Sequence, residues 1–359
     1  MHRRSLLARI GLGGILAAGS APAVQAQPIV RWRLASSFPR SLDTIYGAAE
    51  AFAHRVRQMS GGRLEITVHP AGELVPAFGV VDAVQGGAVE AAHTAPYYFF
   101  GKDETFALGG AIPFGLNSRQ MSAWSYEGNG LRLMREFYAR YHIVQFPCGN
   151  TGAQMGGWMR KEIASASDLK GLKFRIGGFA GKVIERLGGV PQNIPGGEIY
   201  QALEKGTIDA AEWIGPYDDQ KLGFNKVAPY YYYPGWWEGG LQLDLYIHHK
   251  AYDALSNEHK AIVDSASAHA HVLTQARYDV RNPPALRQLV AAGARLRPFP
   301  PDLMAQAYRQ AMALYDEIAA RNEHWKRIYA DYARFRSDQN LWFRFTEATF
   351  DRFMQSQRL

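Results

Sequence analysis

Gly206-Thr-Ile-Asp-Ala-Ala-Glu-Trp-Ile-Gly215 is the stretch that decides the fold of this chain. It joins a helix end, a short strand, and a carboxylate beside an indole. Glycine at 206 suits the position just past a helix, where a positive φ costs little. Thr207 to Ala211 is small and strand-compatible, Glu212 and Trp213 stand where that strand should stop, and Gly215-Pro216 turns the chain away. In open α/β sheets, ligands sit just beyond the carboxyl ends of the strands. Glu212 and Trp213 are therefore expected to line a binding site.

Working outward, the same unit occurs once before. Ala83-Val-Gln-Gly-Gly-Ala-Val-Glu-Ala-Ala-His93 aligns with Ala202-Leu-Glu-Lys-Gly-Thr-Ile-Asp-Ala-Ala-Glu212. Ala83/Ala202, Gly87/Gly206, Ala91/Ala210 and Ala92/Ala211 are identical, and four further pairs are similar. The match falls at equivalent places in two β-α units and predicts two similar lobes with a cleft between them. It makes Glu212 the counterpart of His93 and Trp213 that of Thr94, facing each other across the cleft. An aromatic loop follows each strand end: Tyr97-Tyr98-Phe99-Phe100 after the first, Gly215-Pro-Tyr217-Asp218-Asp219 after the second. Such loops suit a closed, water-poor pocket.

The remaining patterns agree with an α/β fold. Val30 to Ala35 and Leu64 to Val68 alternate as strands, and Ala88 to His93 reads as a third. Between them lie helices from Ile45 to Met59, with Asp43 as a plausible cap, and over about Pro76 to Gln85. Leu172 to Ile176 is a strand followed by a helix through Leu187, and a helix from Glu198 ends at Gly206. Tyr230 to Gly240, with four tyrosines, two tryptophans and Glu238, reads as an aromatic loop. A carboxylate in such company needs a partner. Leu241 to Ile247 alternates as a strand returning to the first lobe. Asn257 to Arg281 is helical and is expected to break at Asn282-Pro283-Pro284; long aromatic-rich helices follow Asp302. The aromatics there suit either packing on both lobes or a subunit interface.

The chain of 359 residues is 47% hydrophobic, enough for two lobes. Its amino end has the form of a cleaved export signal over residues 1–26: Arg3-Arg4, an apolar stretch from Ile10 to Ala18, and Val24-Gln25-Ala26 before Gln27. The apolar stretch is too short to span a bilayer. The paired arginines fit a twin-arginine route. Losing Arg3, Arg4 and Arg9 takes the formal charge from +7 to +4, mildly basic and without runs, which gives no reason to expect nucleic acid. Cys148 is the sole cysteine, so no disulfide within the chain and no cysteine-rich metal site can form.

Enzymatic signatures are lacking. Gly177-Gly-Phe-Ala-Gly-Lys-Val183 fails as a phosphate loop, because Ile176 and Val183 stand where glycine and Ser/Thr are needed. No Gly-x-Ser-x-Gly is present, and neither His248/His249 nor His269/His271 has the i,i+4 spacing of a helical zinc pair. Arg175 alternates away from Phe174 at a strand's carboxyl end, where a guanidinium can grip a carboxylate. On pattern alone it is equally a surface arginine, or one member of an ion-pair network with Glu212 and Glu238.

Several phrases resemble one family. Asn150-Thr-Gly-Ala-Gln-Met-Gly-Gly-Trp158, Asp168-Leu-Lys-Gly-Leu-Lys-Phe-Arg-Ile176 and the opening stretch are similar to periplasmic solute-binding subunits of TRAP (tripartite ATP-independent periplasmic) transporters. Gly215-Pro-Tyr-Asp-Asp, Lys221-Leu-Gly-Phe and Tyr230 to Gly240 resemble the branch that binds monocarboxylate 2-oxoacids such as pyruvate. The resemblance implies an α/β, two-lobed periplasmic binding protein with a cleft between the lobes and long C-terminal helices. It implies lobe 1 over 27–148 with a return strand at about 241–250, lobe 2 over 149–240, and hinge-spanning and C-terminal helices over 251–359. It implies that Arg175 bridges the substrate carboxylate, that Gln154 contacts it as an amide donor, and that Trp213 touches it. A cation, sodium with calcium as the alternative, would be held by Glu212, Trp213 and Glu238. Tyr97, Tyr98 and Phe99 would be pocket walls. The implied partners are a small 2-oxo monocarboxylate, the membrane permease and a second copy that exchanges a C-terminal helix. The rival readings are an exported enzyme acting on a small carboxylate and a binder of lactate with calcium.

Overall fold

The computed structural model describes residues 29–357, so the export signal expected over residues 1–26 lies outside the described residues. The first unit contains β1 (Val30–Ser36), α1 (Tyr46–Met59), β2 (Leu64–His69), α2 (Val80–Gln85), β3 (Ala91–Thr94), α3 (Ser118–Tyr126), α4 (Gly130–Tyr138) and β4 (Ile143–Asn150). The chain then crosses into a second unit: β5 (Gly157–Met159), β6 (Lys173–Arg175), α5 (Gly178–Arg186), β7 (Val190–Gln192), α6 (Ile199–Glu204), β8 (Ala210–Ala211), α7 (Pro216–Leu222) and β9 (Tyr230–Tyr233). It continues as β10 (Gln242–His248), α8 (His249–Asp253), α9 (Asn257–Ala291), β11 (Arg295–Pro298), α10 (Pro301–Arg321), α11 (Glu323–Phe345) and α12 (Glu347–Ser356).

Two sheets form two lobes. Their strand orders are β2-β1-β3-β10-β4 and β7-β6-β8-β5-β9-β11. Read side by side, the first five strands of each match in direction. β1 is parallel to β2 and β3, as β6 is parallel to β7 and β8. β3 is antiparallel to β10, and β8 to β5. The internal sequence match therefore marks a real structural equivalence. Both α2 and α6 end two residues before a turn into the left-handed region, at Gly87 (φ 71°) and Gly206 (φ 70°). Each turn then delivers a central strand whose carboxyl end faces the cleft. In β1, Trp32 and Leu34 turn into the core while Arg31 and Arg33 turn outward, the alternation a half-buried strand requires.

Several local expectations change. The strands at the two turns are shorter, Ala91–Thr94 and Ala210–Ala211, because the residues after each glycine complete the turn first. The expected helix over Pro76 to Gln85 is only Val80–Gln85. Asp43 caps nothing: Ile45 occupies the cap position of α1, and the Asp43 carboxylate is engaged elsewhere. Tyr230–Tyr233 is a strand rather than a loop, paired on both sides by β5 and β11, which suits the β-preference of tyrosine. The expected break at Asn282-Pro283-Pro284 does not occur, and α9 runs unbroken for 35 residues. Each proline removes a donor and costs about 3 kcal/mol in a helix interior. Packing outweighs that cost here: both rings face solvent, while Ala285 and Leu289 beyond them are buried. The helix packs on α1 and β4 of the first lobe and on α7 of the second. The C-terminal helices also join the lobes, α10 lying on α5 and α11 on α3 and α4.

Candidate functional site

The register of the second sheet builds the site. Phe174 pairs with Ala210 and Arg175 with Ala211, so the strand end carrying Arg175 lies beside the one that leads into Glu212. Position 157 must be glycine because β5 crosses the backbone of β8 closely on its other side. A Cβ at Gly157 would lie 2.5 Å from the Ala211 carbonyl oxygen and 2.8 Å from Glu212 Cα.

Arg175 and Glu212 form a fully buried ion pair, with side chains 1% and 2% exposed, so the surface-arginine alternative falls. Arg175 Nε donates to the Ile194 carbonyl at 2.9 Å. Nη1 donates to the Glu212 carbonyl at 2.8 Å and to its carboxylate. Nη2 is buried and has no partner. Two of the three guanidinium nitrogens are thus fixed and the third is held out. The Trp213 indole lies across the guanidinium, 5.1 Å from ring centroid to Cζ. It fits because position 196 is glycine, where a Cβ would come within 2.4 Å of the indole.

Two of the chain crossings between the lobes contribute the rest. Gln154 lies between β4 and β5, and Glu238 between β9 and β10. They run side by side: Gly235 N–H donates to the Gln154 carbonyl at 3.0 Å, and a Cβ at 235 would clash with it at 2.8 Å. Gln154 Nε2 donates to Thr151 Oγ1 at 3.0 Å, leaving Oε1 as a buried acceptor without a partner. Gln154 therefore holds out an oxygen, beside the amide nitrogen that the resemblance implies as the donor. From the first lobe, Tyr97 is buried against the loop opening α5, where a Gly178 Cβ would lie 3.2 Å from Tyr97 Cβ. Tyr98 packs edge-on to Tyr97 and Phe78. Phe99 packs against Phe106, 5.9 Å between ring centroids. His93, the repeat partner of Glu212, donates through Nε2 to the Cys148 carbonyl, 2.9 Å away, and burial depresses the imidazole pKa to about 4. Burial likewise holds the Cys148 thiol protonated.

Burial pushes the Glu212 carboxyl up, with Arg175 pulling it back. Burial also pushes Glu238 up, and repulsion from Glu212 adds to it, against hydrogen bonding from Tyr97 and Gln154. Two carboxyls therefore crowd one arginine. Glu212 Oε2, Glu238 Oε2 and Gln154 Oε1 are buried acceptors without a protein partner, and Arg175 Nη2 and Trp213 Nε1 are donors in the same condition. Each such group costs about 1–3 kcal/mol, more when charged. The acceptors are hard oxygens of the kind that hold sodium or calcium, and the donors suit a carboxylate. Among the described residues no cluster of three or more His, Cys, Asp or Glu is placed to hold a metal, so the two carboxylates need amide or main-chain oxygen beside them.

Pattern reading missed three contributors. The Ile194 carbonyl acts through the main chain, which leaves no side-chain signal. Thr151 has no signal of its own beyond the motif around it, and Gly196 matters only through a tertiary contact.

Two lobes closed around a buried, partly unsatisfied charge cluster define a solute-binding protein. Residues 35–322 match bacterial extracellular solute-binding protein family 7 (DctP), and the chain belongs to that family, as a periplasmic solute-binding subunit of the TRAP type and not an enzyme. It is 46% identical over 331 residues to a monocarboxylate 2-oxoacid-binding periplasmic protein of Nostoc sp., covering 92% of this chain and 91% of that one. A TRAP solute-binding protein of Bordetella bronchiseptica superimposes with TM-score 0.90 at 48% identity, covering 92% of this chain and 98% of that one. That protein is a mixed-occupancy dimer with copurified calcium and picolinate in one active site. One from Pseudoalteromonas atlantica, with bound sodium and pyruvate, superimposes with TM-score 0.88 at 37% identity, covering 92% and 100%.

Proposed function

We propose that this protein binds a 2-oxo monocarboxylate such as pyruvate together with a hard cation, and delivers it to a membrane permease. The observation that carries the reading is the set of unsatisfied buried atoms. Arg175 Nη2 faces the site as the donor for the ligand carboxylate, with the Trp213 indole against the ligand. Glu212, Glu238, Gln154 Oε1 and the Trp213 main-chain carbonyl form the oxygen set for the cation. Sodium or calcium there would neutralise the carboxylates and give the ligand oxygens a second positive contact. Tyr97 and Tyr98 close the first-lobe side. The likeness to proteins that hold pyruvate with sodium, or picolinate with calcium, supports the same ligand class here.

The carboxyl-terminal helices support a second copy as partner. Trp342 (57% exposed) and Phe345 (69%) stand out from α11, and Phe350 and Phe353 from α12. Four large apolar side chains on neighbouring helices form the kind of face that associates.

The test is calorimetric titration of pyruvate, with lactate as comparison, into protein in sodium, calcium and choline buffers, repeated with Glu238→Gln. Binding that needs sodium or calcium in the wild type, and weakens at least tenfold in Glu238→Gln, is the expected result. Wild-type pyruvate affinity in choline equal to that in sodium and calcium refutes the cation site.

A further inference from the structure

We infer that Asp43 is a remote determinant of affinity: a first-lobe carboxylate that clasps the second lobe and the connecting helix without touching the ligand. The inference depends on the binding-protein reading above. Asp43 lies in the loop between β1 and α1. Its two oxygens accept the Tyr217 hydroxyl at 3.1 and 3.2 Å and the Lys221 ammonium, and Oδ2 accepts Arg281 Nη1 at 3.2 Å. Tyr217 and Lys221 sit on α7, which follows the site strand β8 in the second lobe. Arg281 sits on α9, and the same Nη1 donates to Thr44 Oγ1 at 2.6 Å. The Tyr217 ring takes both cations against its face, Lys221 Nζ at 4.6 Å and Arg281 Cζ at 5.0 Å from the centroid.

The far side of this clasp is rigid. Asp218 accepts the Tyr278 hydroxyl of α9 at 2.7 Å. Asp219 accepts Trp158 Nε1 at 3.0 Å and the Tyr231 hydroxyl at 2.7 Å. Asn282 of α9 accepts the Tyr217 N–H at 3.1 Å. α7 is therefore tied to its own sheet and to α9, and Asp43 joins that assembly from the other lobe. Burial pushes the Asp43 carboxyl up, but Lys221, Arg281 and Tyr217 outweigh it and hold the carboxyl below its usual range. None of these groups belongs to the candidate site.

Hydrogen bonds of this length are lost within an ångström or so of separation. A contact made only while the lobes are together stabilises the ligand-holding form and slows release, with little effect on encounter. The groups are a third to a half exposed, with side chains of Asp43, Lys221 and Arg281 at 46%, 33% and 32%, so the effect is moderate and salt-sensitive.

Stopped-flow tryptophan fluorescence with pyruvate in sodium buffer tests this. Asp43→Asn should release pyruvate roughly 5- to 20-fold faster. Association should stay within about twofold and the melting temperature of the ligand-free protein should hold, which a merely structural residue would not allow. Lys221→Met, on the other lobe, should do the same, and the double variant should release no faster than Asp43→Asn alone. Added choline chloride at fixed sodium should speed release from wild type and leave Asp43→Asn unchanged. Wild-type release from both single variants, or full additivity in the double variant, overturns the clasp while leaving the binding function standing. Wild-type protein indifferent to pyruvate overturns the function reading and the clasp with it.

Discussion

Replacing Arg175 by lysine isolates what the guanidinium does for the ligand. The wild-type side chain has three tasks: Nε on the Ile194 carbonyl, Nη1 on Glu212, and Nη2 held out into the site. Lysine keeps the positive charge beside the buried Glu212, so the penalty of about 3–5 kcal/mol for stranding one partner of a buried pair is avoided. That penalty is why Arg175→Ala is the worse probe. A single ammonium cannot span the positions of three guanidinium nitrogens, and the nearest acceptors are both on Glu212. The ligand thus loses its charge-assisted donor. One such bond contributes about 1.5–3 kcal/mol, and a forked pair somewhat more, so the expected loss is about 2–4 kcal/mol. That corresponds to roughly 30- to 1,000-fold in Kd. Loss of the Ile194 contact adds about 1 kcal/mol to folding only. Calorimetry with pyruvate in sodium buffer reads the affinity, and thermal unfolding of the ligand-free protein reads the fold. A folded Arg175→Lys protein that binds pyruvate within about threefold of wild type would refute the anchor assignment.

Two other outcomes follow from groups outside the site. Asp244 is fully buried; burial pushes its carboxyl up to about 8, against donors on Gln145, Gln242, Tyr246 and Tyr138. Its unfolded value is about 4, so between those values the native state holds the extra proton and stability falls as pH rises through the folded pKa. Asp218 and Asp219, each raised to about 7 by burial, act in the same direction. Chemical unfolding of ligand-free protein should show lower stability at about pH 8 than at about pH 5, and Asp244→Asn, which mimics the protonated acid, should remove about 1–3 kcal/mol of that difference. Stability rising with pH over this range would contradict the assignment. For the exposed carboxyl-terminal face, Trp342→Glu with Phe345→Glu should convert a dimer to a monomer in sedimentation velocity; a wild-type protein that already sediments as a monomer at micromolar concentration sinks the interface.

The parts of this molecule legible in its sequence were those with local signatures. Gly87 and Gly206 announced two turns because a positive φ is expensive for other residues, and the equivalence of the lobes followed. Arg175, Glu212 and Trp213 stood out because strand ends are where such sheets bind, and the register of the second sheet brings the three together. What stayed hidden was set by tertiary contact. The prolines of α9 argued for a helix end, and only the burial of Ala285 and Leu289 beyond them carries the helix on. Asp43 had the form of a helix cap, and its carboxylate is instead claimed by residues far along the chain. Of the carboxyl-terminal aromatics, Tyr315, Trp325 and Tyr332 are buried while Trp342, Phe350 and Phe353 are exposed, a division that composition does not encode.

The distribution of charge between the lobes explains why an anchor and a clasp can be separate devices. Arg175, Glu212 and Trp213 belong to strand ends of the second sheet, and Gln154 and Glu238 to the β4–β5 and β9–β10 crossings, which Gly235 lets touch. The equivalent strand end in the first lobe offers His93, held neutral by burial with Nε2 at the Cys148 carbonyl, and then the tyrosine loop. At this strand end the first lobe thus brings aromatic surface and hydroxyls to the site and, among the described residues, no charge. The polar contacts that fix Arg175 come from Ile194 and Glu212, both in the second lobe, so moving the first lobe leaves the anchor assembled. Closure then adds the aromatic wall and excludes water, which strengthens interactions already in place. The charge that the first lobe contributes to closure stands outside the cavity, at Asp43, where it can govern how long the lobes stay together without altering which anion the second lobe holds.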